Sequence, residues 1–269
     1  MEAGWDVALV VSQPDRKRGR GGRLRPTPVK AAAVELGLPV TDRVDEVLAA
    51  GADLGVVVAF GRLVRPHVLA EVPMVNLHFS LLPRWRGAAP VERAILAGDE
   101  ETGVCLMRLE EGLDTGPVYA CERVRIGPED TADELRARLV GVGIELLLTT
   151  LAAGLGAPVP QEGDATYAAK LDADELRLDW SRPAVELHRV VRVGGAWTTF
   201  RGRRLKVHRA RLLPPAAETP ASGVLEATVV GTGAGALELV EVQPEGRAAQ
   251  PAQAWLHGAR PQPGERLGT

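Results

Sequence analysis

Residues 75–90 read Val75-Asn76-Leu77-His78-Phe79-Ser80-Leu81-Leu82-Pro83-Arg84-Trp85-Arg86-Gly87-Ala88-Ala89-Pro90. The alternation of Val75, Leu77 and Phe79 predicts a β-strand, and the Pro, Arg and Gly that follow predict a loop at its carboxyl end. Strand side chains alternate, so Asn76 and His78 share one face. Polar groups in such a strand cost stability unless they are used. Here they are chemically matched: Asn76 offers an N–H donor to a developing oxyanion, and His78 can carry a proton. Further on, Gly112-Leu113-Asp114-Thr115-Gly116 supplies a carboxylate able to fix the tautomer of the histidine or favour its charged form. Taken singly, each has an ordinary structural explanation: a half-buried strand histidine, a turn-forming asparagine, a loop-capping aspartate. Together they are the candidate catalytic residues.

Working outward, residues 7–12, 54–59, 75–79 and 104–109 are apolar or β-branched runs, and 28–36 and 90–97 between them read as helices. Continuous apolar strands with helical crossovers imply a largely parallel sheet covered on both faces, with sites at the strand carboxyl ends. A long helix is predicted over 131–151, started by a capping box of Thr131 and Glu134 and stopped near Gly154 and Gly156. Residues 158–175 are polar and punctuated by Pro and Gly, and read as a linker. Beyond it lie a short helix over 183–193 and strands over 196–200, 204–210, 223–230 and 236–242, with Arg201 and Gly202 as a tight turn. Many short strands with turns point to a small barrel. The expected division is a first domain over 1–157, the linker over 158–175, and a second domain over 176–269.

Composition places the chain among ordered globular proteins: 45% hydrophobic and 25% charged residues are near the globular average, and 269 residues can bury a large core. No apolar run is long enough to span a bilayer, and Glu2 and Asp6 near the start are unlike a secretory leader, so a cytoplasmic location is expected. Cys105 and Cys121 have no CxxC spacing and read as reduced, buried thiols on neighbouring strands. His67, His78, His188, His208 and His257 lack metal-ligand spacing, so no metal is expected.

Over most of its length the chain resembles the methionyl-tRNA formyltransferases of the formyltransferase superfamily. The stretch 76–116 is similar to the family's catalytic core, with Asn76, His78 and Asp114 falling on its catalytic asparagine, histidine and aspartate. Ser80, Leu81, Leu82 and Pro83 match its folate-associated signature, and 239–246 followed by 255–264 resembles the ending of its second domain. The resemblance implies an α/β fold, a Rossmann-like mostly parallel sheet with a C-terminal OB-like β-barrel. It also implies transfer of a formyl group from 10-formyltetrahydrofolate to the α-amine of methionyl initiator tRNA, without a metal. Residues 193–197 are shorter than the Pro-rich stretch the family carries before this Trp. Ahead of Glu2, Ala3 and Gly4 the family has a strand, a glycine-bearing loop and most of a helix, about 25 residues by typical element lengths. That strand is central in the family's sheet, and its neighbours would otherwise expose unpaired backbone groups. A start codon assigned too far downstream, or a truncated product, is therefore expected.

Residues 14–30 hold Arg16, Lys17, Arg18, Arg20, Arg23, Arg25 and Lys30 against the single acid Asp15, within a chain of net charge −3. Such a localised field attracts a polyanion through phosphate contacts and counterion release. Gly19, Gly21 and Gly22 let the segment follow a backbone of phosphates, and the lack of aromatics argues against stacking on bases. It is similar to the family's loop that enters the tRNA acceptor stem, with Arg20 first in rank for contact. Arg201, Arg203, Arg204, Lys206, His208, Arg209 and Arg211 form a second basic face, although a solvated strand pair explains any one of them equally well. The expected partners are methionyl initiator tRNA and a folate, with no membrane and the chain acting as a monomer. Two alternatives stand beside this. A sugar-nucleotide amine formyltransferase is disfavoured by the basic segment and the second domain, and a noncatalytic RNA-binding protein on a degenerate fold by intact Asn76, His78 and Asp114.

Overall fold

Residues 4–18, 22–215 and 218–269 are described in the computed structural model, and no helix among them is long and apolar enough to cross a membrane. Two units emerge from the chain, the first built from residues 1–88, 103–124 and 139–167, the second from 89–102, 125–138 and 168–269.

The first unit begins with β1 (Val10–Val11), β2 (Arg16–Arg18), β3 (Arg23–Arg25), α1 (Pro28–Glu35), β4 (Val40–Thr41), β5 (Gly55–Val58), α2 (Pro66–Glu71) and β6 (Met74–His78). Both helices open on a proline, whose missing N–H is not needed in a first turn. Thr27 caps α1 by accepting the Lys30 N–H at 3.1 Å. The pairs β1–β4 and β5–β6 are parallel, as the crossovers predict. After β7 (Arg86–Gly87) and α3 (Pro90–Ala97), β8 (Glu101–Arg108) returns antiparallel beside β6, and β9 (Val118–Arg125) completes the order β5-β6-β8-β9. Here the sheet departs from parallel pairing, although the 79–100 connection is long enough for a crossover, and β9 then follows β8 through a loop, 109–117, too short for one. An apolar run carries no sign of its direction.

Neighbouring β8 and β9 also correct the cysteine expectation. Cys105 and Cys121 are joined in a disulfide with Cα atoms 4.1 Å apart, so they are not free thiols. The expected strand adjacency holds; what the spacing could not tell was that the two thiols are joined rather than reduced.

The predicted capping box starts α4 (Ala132–Ala153): Glu134 N–H donates to Thr131 Oγ1 at 3.2 Å, and Thr131 N–H to Glu134 Oε2 at 3.0 Å. At Gly143 this helix rides close over the sheet, since a Cβ there would lie 3.4 Å from Val104 and 3.7 Å from Leu77 and Phe79. The odd-numbered face of β6 is thus spent on packing. Its even-numbered face carries Asn76 and His78.

In the second unit, beyond β10 (Tyr167–Ala168), α5 (Ala184–Val193) precedes an antiparallel sheet of β11 (Trp197–Phe200), β12 (Arg203–Leu212), β13 (Leu225–Glu226), β14 (Val229–Gly231), β15 (Ala236–Pro244) and β16 (Gln250–Pro251), and α6 (Ala252–Ala259) follows. The order is β11-β12-β15-β14-β13, with β16 on β15. Arg201 and Gly202 make the expected turn, with φ of +52° and +69°, the left-handed pair that a two-residue hairpin requires. The single strand expected over 223–230 is broken, because Ala227 at φ +50° separates β13 from β14. Ring closure comes from the C-terminal tail. Leu225 N–H donates to Glu265 O at 2.9 Å and Leu267 N–H to Gly223 O at 2.9 Å, while Gly268 N–H reaches Thr199 O at 2.8 Å and Gly202 N–H reaches Thr269 O at 3.0 Å. One tail thereby joins the two edges of the sheet, which removes the exposed edges of an open one. Leu187, Val190, Leu205, Val207, Leu237 and Val242 fill the interior.

Candidate active site

Asn76 and His78 are fixed by two hydrogen-bonded ladders, with Asn76 opposite Val57 on β5 and Met107 on β8, and His78 opposite Cys105. Both are buried, at 8% and 5% exposure. The Asn76 carboxamide makes no hydrogen bond to any described residue. The amide atoms are not among the sealed, unpartnered polar atoms, so the carboxamide keeps contact with solvent and its donors are open to a ligand.

His78 sits between two acceptors. Its Nε2–H donates to the Trp85 carbonyl oxygen at 2.8 Å, and because a carbonyl only accepts, this nitrogen holds the proton. The tautomer is therefore set by a backbone carbonyl rather than by the aspartate. Asp114 faces the other nitrogen, with Oδ2 3.6 Å from Nδ1, beyond hydrogen-bond length. Asp114 lies in the β8–β9 loop at φ +50°, and its Oδ2 accepts the Gly87 N–H at 2.7 Å.

The loop after β6 is stiffened from within. Ser80 is wholly buried and its hydroxyl donates to the Arg84 carbonyl at 2.6 Å, so this side chain serves the loop rather than its surface. Leu81, Leu82 and Pro83 are half-buried, with a cis bond between Leu82 and Pro83. The Arg84 guanidinium lies over the Trp85 ring at 4.5 Å.

The polar stretch that reads as a linker holds this loop in place. Val118 and Val159 exchange backbone hydrogen bonds of 2.8 Å, Thr166 Oγ1 accepts the Trp85 N–H at 2.9 Å, and Thr166 O accepts the Arg86 N–H at 2.9 Å. Gln161 Nε2 donates to the carbonyls of Asp114 and Gly116, both at 2.8 Å, while its Oε1 accepts from Arg86 Nε and Nη2 at 3.0 and 2.6 Å. Sequence reasoning missed Gln161 and Thr166. Neither periodicity nor local composition marks them, and their partners lie 45 to 81 residues away.

Of the basic segment, Arg16, Lys17 and Arg18 fall in β2 and Arg23 and Arg25 in β3, an antiparallel ribbon with Arg16 opposite Arg25 and Arg18 opposite Arg23. Arg20 lies outside the described residues. Arg16 and Arg25 are exposed, whereas Lys30 is drawn to Asp15 at 2.8 Å. The second basic face is largely engaged within its own unit. Arg201 forks onto Glu265 and holds that carboxyl down at about 2, Arg211 meets Glu238 at 3.2 Å, and Arg204 stacks 4.1 Å over Trp197.

Comparison with known proteins bears on this constellation. The family model described as formyl transferase matches residues 2–151, and that described as formyl transferase, C-terminal domain, matches 170–260. A relative from Symbiobacterium thermophilum named methionyl-tRNA formyltransferase is 46% identical, covering 99% of this chain and 89% of its own. Among solved structures, a methionyl-tRNA formyltransferase from Clostridium thermocellum aligns with TM-score 0.56 at 18% identity over 68% of this chain and 87% of its own. HypX from Aquifex aeolicus in complex with tetrahydrofolic acid aligns with TM-score 0.63 at 19% identity over 84% of this chain and 43% of its own. At such identities the two structures speak for the fold.

Proposed function

We propose that this chain, which belongs to the methionyl-tRNA formyltransferase family, transfers the formyl group of 10-formyltetrahydrofolate to the α-amine of methionyl initiator tRNA, as translation initiation requires. The observation that carries the chemistry is Asn76, a largely enclosed residue whose carboxamide has no protein partner among the described residues and stays open to solvent, two positions from a histidine whose Nδ1 faces Asp114 at 3.6 Å.

The neutral amine attacks the formyl carbon, and the carbonyl oxygen becomes an oxyanion that Asn76 meets with an N–H. His78 is held at Nε2 by the Trp85 carbonyl, which leaves Nδ1 to address the reacting centre. Asp114 sits beside that nitrogen, where it can take part in relaying the proton of the amine. Collapse breaks the bond from the formyl carbon to N10 of the folate. N10 gains a proton, the amine has lost one, and the products are tetrahydrofolate and formylated methionyl-tRNA. No covalent enzyme intermediate is needed. The donor is placed against Leu81, Leu82 and Pro83, with Ser80 keeping their loop in shape. The basic segment that includes Arg16, Arg20 and Arg25 meets tRNA phosphates, and the reaction belongs in the cytoplasm.

Formyl transfer from labelled donor to charged initiator tRNA tests this reading, with a nucleotide amino sugar as the contrasting acceptor. The tRNA is expected to be formylated and the sugar not; the reverse preference rejects the reading. Replacing Arg16 and Arg25 together by alanine is expected to raise KM for tRNA at moderate salt and to flatten the dependence of log KM on log salt, by about 0.9 for each phosphate no longer neutralised. An unchanged slope with an unchanged KM removes the ribbon from tRNA binding.

A further inference from the structure

We propose that Gln161 is a positioning residue for formyl transfer, an inference that rests on the activity argued above. Gln161 reaches Asp114 from two sides, directly through the loop carbonyls and indirectly through Arg86, whose backbone Thr166 also holds. Its Nε2 pins the carbonyls of Asp114 and Gly116 at 2.8 Å, fixing the loop on either side of Thr115. Its Oε1 holds the Arg86 guanidinium through Nε and Nη2, and the next residue is Gly87, whose N–H binds the Asp114 carboxylate at 2.7 Å. Only a carboxamide can serve this place, because it must donate to two carbonyls while accepting from a guanidinium.

The need for such a brace follows from the conformation of Asp114. At φ +50° it occupies a backbone region that non-glycine residues seldom adopt, and residues there persist when their surroundings over-determine them. Its carboxylate is not locked to His78, since 3.6 Å leaves no direct hydrogen bond. Loop position, rather than a contact between the two side chains, therefore sets their separation. A shift of about 1 Å at a reacting centre can cost about 10²-fold in rate.

Two variants separate the arms of Gln161. Gln161→Glu keeps the length and the acceptor for Arg86 but turns the donor arm into an acceptor facing two carbonyls. Gln161→Met keeps the length and loses both arms. Steady-state kinetics of both, with thermal melts, are expected to show kcat about 10- to 100-fold lower, with KM for the folate donor within about two-fold of the parent and melting temperature within a few degrees. Loss in Gln161→Glu should be at least as large as in Gln161→Met. If Gln161→Glu keeps the parent kcat, or if kcat falls only in step with a shrinking folded fraction, the positioning role is overturned while the activity stands. A parent protein that does not formylate charged tRNA at all sinks the activity and this role together.

Discussion

Replacing Asn76 by alanine is expected to lower kcat about 10²- to 10³-fold, the usual loss when a single oxyanion donor is removed, while leaving the protein folded. The asymmetry has a structural cause. The carboxamide bonds to no described residue, so its removal strands no buried partner, and β5 and β8 hold the backbone at this position from both sides. On the proposed mechanism the lost N–H meets charge that exists only during the reaction, so the cost falls on kcat rather than on KM for the folate donor. Single-turnover formylation beside a thermal melt separates these effects. Turnover within a few-fold of the parent would show that Asn76 does not bear the developing charge.

Trp255→Ala should be the most damaging truncation in the barrel, at about 3–5 kcal/mol of unfolding free energy, the range for deleting a large buried aromatic. Trp255 is 7% exposed on α6 and meets Phe200, at the end of β11, edge to face with ring centroids 5.2 Å apart. Part of the loss is that aromatic pairing, about 0.5–1.5 kcal/mol, and the rest is burial and cavity. The site is also strategic. Phe200 precedes the Arg201–Gly202 turn, where the tail that closes the ring is bonded through Thr269. Urea unfolding followed by fluorescence and far-ultraviolet dichroism reads the shift; a loss below about 1 kcal/mol would mean that the barrel repacks around the missing ring.

Much of this molecule is written in short-range pattern. The strand bearing Asn76 and His78 is legible because a period of two is enforced by the backbone of each residue. The start of α4 is legible because Thr131 and Glu134 satisfy N–H groups within a single turn. The Arg201–Gly202 turn is legible for the same reason, since two residues with positive φ make a hairpin whatever surrounds them.

The other decisions were made by contacts between distant parts of the chain. Strand direction at β8 and closure of the barrel by residues 265–269 depend on which segments become neighbours, and hydrophobic period says nothing of that. The site shows the same division. Sequence by itself determined that an amide and an imidazole share a strand face, and it marked the aspartate as a candidate. Tertiary structure alone set Asp114 opposite Nδ1, supplied the Trp85 carbonyl to Nε2, and turned a polar segment with the look of a linker into the brace around Gln161. Backbone propensities act over a few residues, whereas a hydrogen bond spanning 45 residues forms only after both ends have been placed by the packing of everything between them.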